Sequence, residues 1–198
     1  MIFFMVPFVK SYGVFIVAAV VVLLDRLSKE WILNTFALFD RKTMIPGFFD
    51  LVYVTNTGAA FGLLSGAPSF WRHLFFISVA FFVCLFLFFV CHRHCKGSCP
   101  VSFGVGLIIG GAIGNSWDRI AHGAVVDFID FYIRGFHWPA FNIADSAITV
   151  GAALFSWAAL KNPDILPGRW QDIMPYFAKN PAACQPSQPM ESIESDEK

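Results

Sequence analysis

The sequence carries little charge and no excess of either sign. Charged residues make up 14% of the 198 residues, and the 14 Lys and Arg side chains balance the 14 Asp and Glu side chains. A soluble domain has about 25% charged residues, and a nucleic-acid-binding domain concentrates positive charge on one face. We therefore expect no nucleic-acid partner and assign the chain to the membrane class, which its 57% hydrophobic content favours.

Several common catalytic signatures are missing. The sequence has no His-Glu-x-x-His zinc motif and no Gly-x-Ser-x-Gly nucleophile motif. Ser28 and Lys29 are adjacent, so their side chains diverge on a helix and make a poor Ser–Lys dyad. These absences argue against zinc and serine hydrolases.

The five cysteines show no disulfide pattern. Three of them cluster with two histidines in one short segment, which contains Cys91, His92, His94, Cys95 and Cys99. Their spacing matches no zinc signature. We interpret the segment as a reduced loop on the cytoplasmic side, with a metal site as the alternative. We expect the protein to need no metal and no cofactor.

Long apolar runs predict four membrane spans, at about residues 12–27, 70–91, 101–120 and 143–160. Each run is near the roughly 20 residues that a helix needs to cross the hydrocarbon core. The first run ends at Asp25-Arg26 instead of a small-residue cleavage site, so we expect a retained helix and not a removed signal peptide. The basic residues between the second and third spans predict that this link and both termini are cytoplasmic.

The remaining segments predict a small sheet and a tail. Residues 49–55 are rich in β-branched and aromatic side chains and lie between turn signals, which predicts a strand, and residues 125–133 have a similar composition. We therefore predict an all-α membrane protein at residues 1–161, with four transmembrane helices and a β-sheet and loop at about 40–65 that form a cradle on the outer membrane face. Residues 162–198 are expected to form a cytoplasmic, partly disordered tail.

Small residues recur in the third and fourth spans. Gly106, Gly110 and Gly114 form two small-xxx-small pairs, and the fourth span carries Ala147 and Gly151. Such residues allow helices to approach closely in lipid, so helix packing is the simplest interpretation. Close packing would also bring the outer end of the third span near the start of the fourth, where the polar residues are.

Two aspartates lie beside these spans. Asp127 stands between Val126 and Phe128, where an unpaired charge is costly, so we expect it to have a partner. Asp145 follows Asn142, a good N-cap residue, and an acid in the first helical turn is favoured by the helix dipole; capping alone is one explanation of Asp145. If the two carboxylates meet, one holds a proton and the other is ionised, as in aspartic proteases. We predict Asp127 and Asp145 as the catalytic pair, with Asp145 as the base.

Further polar residues lie near the end of the third span. An acid at a helix C-terminus is unfavourable, so we expect Asp118 to form a salt bridge. We interpret Asn115, Asp118 and Arg119 as residues that orient the catalytic acids. Asp130 competes with Asp127 for the catalytic role, but on a strand it would point the other way.

Asp25 and Lys29 are spaced i, i+4 at the end of the first span. We interpret them as a helix-end ion pair worth about 0.3–0.5 kcal/mol. An orienting role for Asp25 is the alternative.

Two other classes of protein would also use these residues. A small transporter keeps acids in a membrane bundle, but near its midplane and often with repeated halves, whereas no repeat is visible here. In a structural or assembly protein the polar residues would be helix caps, and neutral substitution of Asp127 would disturb folding. Paired acids at span ends favour an enzyme.

Five short motifs, in this order and across about residues 12–161, resemble the lipoprotein signal peptidase family, also called signal peptidase II. They are Asp25-Arg-Leu-Ser-Lys29, Asn56-Thr-Gly-Ala-Ala-Phe61, Gly110-Gly-Ala-Ile-Gly-Asn-Ser-Trp-Asp-Arg119, Val126-Asp-Phe128 and Phe141-Asn-Ile-Ala-Asp145. The resemblance implies a multi-pass aspartic endopeptidase of the bacterial inner (cytoplasmic) membrane, with its active site at the outer face. Such enzymes remove the signal peptide from prolipoproteins by cutting before the diacylglyceryl-modified cysteine.

The same resemblance assigns roles to residues. Asp127 and Asp145 would be the catalytic dyad, and the region around 40–65 would cradle the substrate. The positions that match those around the dyad or its substrate are Asn56, Gly58, Asn115, Arg119, Asn142 and Ala144. The implied partners are diacylglyceryl-modified prolipoproteins, membrane lipid and inhibitors of the globomycin type. The cysteine–histidine loop and the tail depart from the family pattern, which leaves open a partner-binding role at the inner face.

Overall fold

A computed structural model of the chain describes residues 5–58, 69–94 and 99–161. Its helices and strands are α1 (Met5–Thr35), β1 (Arg41–Ile45), β2 (Phe49–Asn56), α2 (Ser69–His94), α3 (Cys99–His122), β3 (Val125–Ile133), β4 (Phe136–His137) and α4 (Ile143–Lys161). Three predicted features lie outside the described residues: the end of the cradle at 59–65, the middle of the cysteine–histidine loop at 95–98, and the tail at 162–198.

The four helices include the four predicted spans, and α1 extends beyond its span at both ends. The apolar run of the first span ends near residue 27, but α1 continues to Thr35. At the end of the apolar run Asp25 and Lys29 are buried and neutralise each other, while Glu30 beyond them is exposed. Within the described residues, two stretches are long and apolar enough to cross a membrane, Phe70–Cys91 in α2 and Ile143–Lys161 in α4. The four-span arrangement stays a prediction.

Glycines let α3 pack closely against both α1 and α4. A Cβ at Gly110 would lie 2.7 Å from the Cβ of Val21 in α1. Between α3 and α4, a Cβ at Gly151 would lie 2.6 Å from the carbonyl oxygen of Gly104. The predicted close approach is therefore confirmed, and it brings the C-terminal end of α3 beside the first turn of α4.

The strands form an antiparallel sheet of order β1-β2-β3-β4. The segments predicted at 49–55 and 125–133 are β2 and β3, and their register pairs Asn56 with Val125 and Val54 with Asp127. The sequence did not predict β1 or β4. β1 is exposed along its whole length and β4 has two residues, so neither shows the alternation of a half-buried strand.

Two apolar clusters hold these elements. One lies among the helices at the end far from the sheet and contains Val14, Leu87, Val90, Val101, Val105, Ile108 and Ala158. The other packs Val126 and Phe128 of β3 against Ile32 of α1. Side chains alternate along a strand, so the inward packing of Val126 and Phe128 turns Asp127 to the opposite face of β3.

Candidate active site

Asp127 is buried and held by side-chain amides. Its side chain belongs to β3, and the residue is 2% exposed. Asn142 Nδ2 donates a hydrogen bond to Asp127 Oδ1 at 2.7 Å, and Asn56 at the end of β2 also hydrogen-bonds the carboxylate. We expected Asp127 to have a partner, and the structure provides two, the side-chain amides of Asn56 and Asn142.

The surroundings of Asp127 favour its protonated form. Burial, and after it the negative charge of Asp145, raise the pKa of the Asp127 carboxyl from 3.8 to about 7. The hydrogen bonds from Asn56 and Asn142 and the charge of Lys29 oppose this rise without cancelling it. A carboxyl with such a pKa can hold and release a proton near neutral pH.

Asp145 lies in the first turn of α4 and takes part in a reciprocal cap. Asn142 Oδ1 accepts a hydrogen bond from the backbone N–H of Asp145 at 2.9 Å, and Asp145 Oδ2 accepts one from the backbone N–H of Asn142 at 3.4 Å. Asn115 Nδ2 donates to the other oxygen, Asp145 Oδ1, at 2.7 Å. The predicted N-cap at Asn142 is confirmed, and Asp145 also accepts a hydrogen bond from α3, which capping does not require.

Asn115 and Asn142 connect the two acids. Asn142 Nδ2 lies 3.2 Å from Asn115 Oδ1, while Asn142 binds Asp127 and Asn115 binds Asp145. Asn142 Nδ2 also contacts the carbonyl oxygen of Val126 at 3.2 Å. The two carboxylates are therefore held by one continuous hydrogen-bonded chain of amides.

Arg119 joins α3 to the end of β2. Its Nη1 donates to the carbonyl oxygen of Asn115 at 3.0 Å, and its Nη2 donates to the carbonyl oxygen of Gly58 at 3.3 Å. The guanidinium lies over the ring of Phe76, 4.7 Å from the ring centre. Gly58 is held from the other side, because its N–H donates to Asn56 Oδ1 at 3.0 Å. Arg119 and Asn56 together fix Gly58, two residues after the end of β2.

Both carboxylates face one open cleft of about 900 Å³. Among the predicted site residues, those that line it are Asn56, Gly58, Asn115, Arg119, Asp127 and Asp145. The far wall comes from the exposed and half-buried side chains of α4, and Trp138 stands at the rim. The sequence therefore predicted the charged and amide side chains of the lining, but it missed the hydroxyl side chains of Thr55, Thr57, Ser146 and Thr149.

The other predicted site residues lie behind the cleft. Asp25, Asp118, Asn142 and Ala144 are each 0% exposed. Asp118 forms the expected salt bridge: its Oδ1 lies 2.6 Å from Arg26 Nη1, and its Oδ2 lies 2.8 Å from Lys29 Nζ. Ala144 donates its backbone N–H to Asp25 Oδ1 at 3.0 Å.

Lys29 was missed as a site residue. The predicted ion pair of Asp25 and Lys29 is present, but it is buried and lies inside α1 instead of at the helix end. Both side chains are 0% exposed, and Lys29 Nζ lies 2.8 Å from Asp25 Oδ2. The i, i+4 spacing gave the pair itself, but the additional partners Asn115 and Asp118 are on α3, far away in the sequence. Ile32, which follows Lys29 by three residues on the same helical face and is 0% exposed, was the available signal that this face of α1 stays buried.

Asp130 is turned away from the cleft, as predicted. Its carboxylate lies 2.9 Å from Arg41 Nη1 and 2.9 Å from His137 Nδ1. It therefore belongs to the opposite face of the sheet. Across the described residues, no group of three or more His, Cys, Asp or Glu side chains is arranged to hold a metal ion.

The fold is similar to that of bacterial membrane enzymes of known structure. One such structure, described as a bacterial membrane enzyme solved by the in meso method at 2.3 Å resolution, is 34% identical, with a TM-score of 0.68 over 76% of this chain and 88% of that chain. A second, at 1.9 Å resolution, is 34% identical, with a TM-score of 0.66 over 75% of this chain and 93% of that chain. The class defined by this fold is that of small membrane enzymes.

Sequence relatives identify the family. The profile of the signal peptidase (SPase) II family matches residues 17–161. A lipoprotein signal peptidase of Oleidesulfovibrio alaskensis is 44% identical over 154 residues, which cover 77% of this chain and 97% of that protein. A lipoprotein signal peptidase of Yersinia enterocolitica is 42% identical over 146 residues, covering 74% and 85%. The chain belongs to the signal peptidase II family, which confirms the predicted resemblance and disfavours the transporter and assembly classes.

Proposed function

We propose that this protein is a membrane aspartic endopeptidase that removes the signal peptide from prolipoproteins, cutting before the diacylglyceryl-modified cysteine. Membership of the signal peptidase II family supports the substrate class. The observation that best supports the aspartic mechanism is that Asp127 and Asp145 lie in one cleft but have different environments. Asp127 is buried with a raised pKa, whereas Asp145 accepts hydrogen bonds on both oxygens at a helix N-terminus.

In the first step Asp145 is the base and Asp127 is the acid. N–H donors and a helix N-terminus stabilise a carboxylate over a carboxylic acid, so Asp145 is ionised and accepts a proton from a water molecule. The water oxygen adds to the carbonyl carbon of the scissile peptide bond. Asp127 donates its proton to the carbonyl oxygen, and the product is a tetrahedral gem-diol.

In the second step the gem-diol breaks down. The carbon–nitrogen bond breaks as Asp145 donates its newly gained proton to the leaving nitrogen of the lipid-modified cysteine. Asp127 takes a proton back from one hydroxyl as the carbonyl forms again. Both acids return to their starting states, and one water molecule is consumed for each peptide bond cut.

The cleft suits a peptide that lies between the sheet and α4. On the sheet side, Thr57 and Gly58 line the cleft, held by Arg119 and Asn56. On the helix side, Ser146 and other residues of the first turns of α4 line it. We place the scissile bond between these walls, where bound geometry brings it to the acids and lowers the barrier.

A second, apolar groove of about 420 Å³ adjoins the cleft. It is lined by Phe48, Phe131, Tyr132, Ile133, Phe136, Trp138 and Phe141. Trp138 and Phe141 line both cavities. In this proposal the groove accommodates lipid of the modified cysteine beside the scissile bond, and inhibitors of the globomycin type occupy the main cleft.

The proposal also includes four transmembrane helices, cytoplasmic termini and an active site at the outer face. The exposed phenylalanines of α2 support lipid contact; Phe75, Phe81 and Phe82 are 51%, 61% and 65% exposed. At the sheet, Phe136 and Trp138 are 73% and 58% exposed, as expected of aromatic residues at headgroup level. The dyad then lies where an acylated cysteine is anchored.

The substrate class is tested with matched prolipoproteins. The purified protein in detergent is incubated with a diacylglyceryl-modified prolipoprotein and with the same precursor lacking the lipid. Mass spectrometry should show loss of the signal peptide from the lipidated precursor and little or none from the other. Equal cleavage of both would contradict recognition of the lipid, and cleavage of neither would contradict the proposed function.

A further inference from the structure

Lys29 is a fully buried ammonium group with a partner for each of its three N–H donors. Nζ lies 2.8 Å from Asp25 Oδ2, 2.8 Å from Asp118 Oδ2 and 3.2 Å from Asn115 Oδ1. An ammonium group has three donors and no acceptor. The side chain is therefore saturated by α1 and α3 and makes no contact with the cleft.

Each of its two acidic partners holds a backbone amide next to a member of the proposed dyad. Asp25 Oδ1 accepts a hydrogen bond from the N–H of Ala144 at 3.0 Å, and Ala144 directly precedes Asp145. Asp118 Oδ2 accepts one from the N–H of Val126 at 3.2 Å, and Val126 directly precedes Asp127. The third partner of Lys29, Asn115, binds the Asp145 carboxylate itself.

We propose that Lys29 is a positioning residue that sets the separation and orientation of Asp127 and Asp145. It does so by holding Asp25, Asp118 and Asn115 in one place, and these three residues fix β3 and the start of α4. This inference rests on the proposed function, because it concerns the geometry of the dyad. We call Asp25, Lys29 and Asp118 the ionic clamp.

A gain in folding stability does not by itself explain why this cluster of buried charges is present. Burying charges is expensive, and replacing a buried ion pair with well-packed apolar residues is often neutral or stabilising. The ionic clamp instead has directional contacts on two elements, and each contact ends one residue before a dyad member. Small displacements of reacting groups reduce rates strongly, so a rigid link between β3 and α4 matters most for catalysis.

The test compares two variants of the clamp with a stability control. Lys29→Met removes the ammonium and keeps the length of the side chain. Asp25→Asn combined with Lys29→Met removes one charge of each sign, and an amide oxygen at position 25 can still accept from Ala144. Val105→Ala is the control, because Val105 is 0% exposed in the apolar cluster far from the dyad. Thermal unfolding in detergent and cleavage per folded protein are measured for each.

We expect kcat to fall about 10- to 100-fold in both clamp variants while the apparent KM changes little, since misplacement acts on the reacting groups. Val105→Ala should lose stability and keep its kcat per folded protein.

The pH profile is a second readout of the role of Lys29. The charged groups that act on Asp127 are Lys29 of α1, Arg119 of α3 and Asp145 of α4, and loss of the Lys29 charge alone should raise the pKa of Asp127 and move the alkaline limb of the pH profile to higher pH.

Wild-type kcat per folded protein in the double variant would overturn the inference. So would an equal loss of kcat in Val105→Ala at equal loss of stability, because Lys29 would then act on stability only. Asp127→Asn separates this result from failure of the proposed function. If Asp127→Asn is inactive while the clamp variants retain wild-type kcat, the clamp alone is wrong; if Asp127→Asn cleaves normally, the dyad is wrong.

Discussion

Asn142 and Asp145 hydrogen-bond each other's backbone N–H groups at the start of α4, at 2.9 and 3.4 Å. The Asn142 amide also donates to Asp127 at 2.7 Å. The Asn142 side chain therefore caps α4 through the backbone N–H of Asp145 and also contacts the carboxylate of Asp127. Helix formation and the geometry of the cleft are consequently linked, and substitutions can separate the two roles.

Asn142→Ser and Asn142→Ala distinguish capping from contact with Asp127. Serine is a good N-cap residue, so Asn142→Ser should keep the stability contributed by the cap, whereas Asn142→Ala should lose about 1 kcal/mol. Both remove the amide donor to Asp127, and we expect both to lower kcat by up to about 100-fold. Thermal unfolding and cleavage assays check this. Wild-type kcat in Asn142→Ser would show that the contact with Asp127 is unimportant.

Asn115→Ala and Arg119→Ala should weaken cleavage without abolishing it. Asn115→Ala removes the donor to Asp145 Oδ1, which should lower kcat. Arg119→Ala frees the carbonyl oxygen of Gly58 at the wall of the cleft, which should raise the apparent KM for the prolipoprotein. Ser116→Ala, on the same helix, is the control. If both variants cleaved like the wild type, neither residue would orient the acids or the substrate.

Cleavage should decline as the pH rises through about 7. Asp127 must carry a proton at the start of the reaction, and its pKa is raised to about 7 by burial and by the charge of Asp145. Above this pH the acid is increasingly ionised, so kcat/KM should fall about tenfold for each further pH unit. After the stability of the enzyme at each pH has been verified, initial rates across pH 5–9 measure this decline in kcat/KM. A rate that is constant from pH 6 to pH 9 would contradict the role of Asp127 as the acid.

Removal of residues 163–198 should leave cleavage intact. Every residue of the proposed site and of the cleft lies between positions 25 and 150, and the family match ends at residue 161. The truncated protein should therefore process the lipidated precursor at the wild-type rate. A folded truncation that no longer turns over would show that the C-terminal segment takes part in catalysis.

The sequence predicted the features that depend on local pattern. Apolar runs gave the helices, and alternating β-branched and aromatic residues gave β2 and β3. Asp127 was recognisable because an isolated acid between Val126 and Phe128 is costly, and Asn142 because capping depends on nearby residues. The glycines of α3 predicted its close contact with α4, because their small-xxx-small spacing is visible within one segment of the sequence.

The features that it did not predict depend on partners that are distant in the chain. Lys29 looked like half of an exposed pair, because nothing near it reveals that Asn115 and Asp118 lie beside it. The exposed strand β1 has no hydrophobic pattern, and its position depends on pairing with β2 and on the contact of Arg41 with Asp50. Such contacts become visible only when the helices and strands are assembled.

The proposed dyad of Asp127 and Asp145 is tested by comparing the wild type with Asp127→Asn and Asp145→Asn on a diacylglyceryl-modified prolipoprotein. Each substitution keeps the shape of the side chain and removes its acid–base chemistry, and thermal unfolding in detergent verifies that the variants are folded. We expect a mass decrease equal to the signal peptide with the wild type, and an intact precursor with either variant. Cleavage near the wild-type rate by a folded Asp127→Asn or Asp145→Asn protein would contradict the dyad.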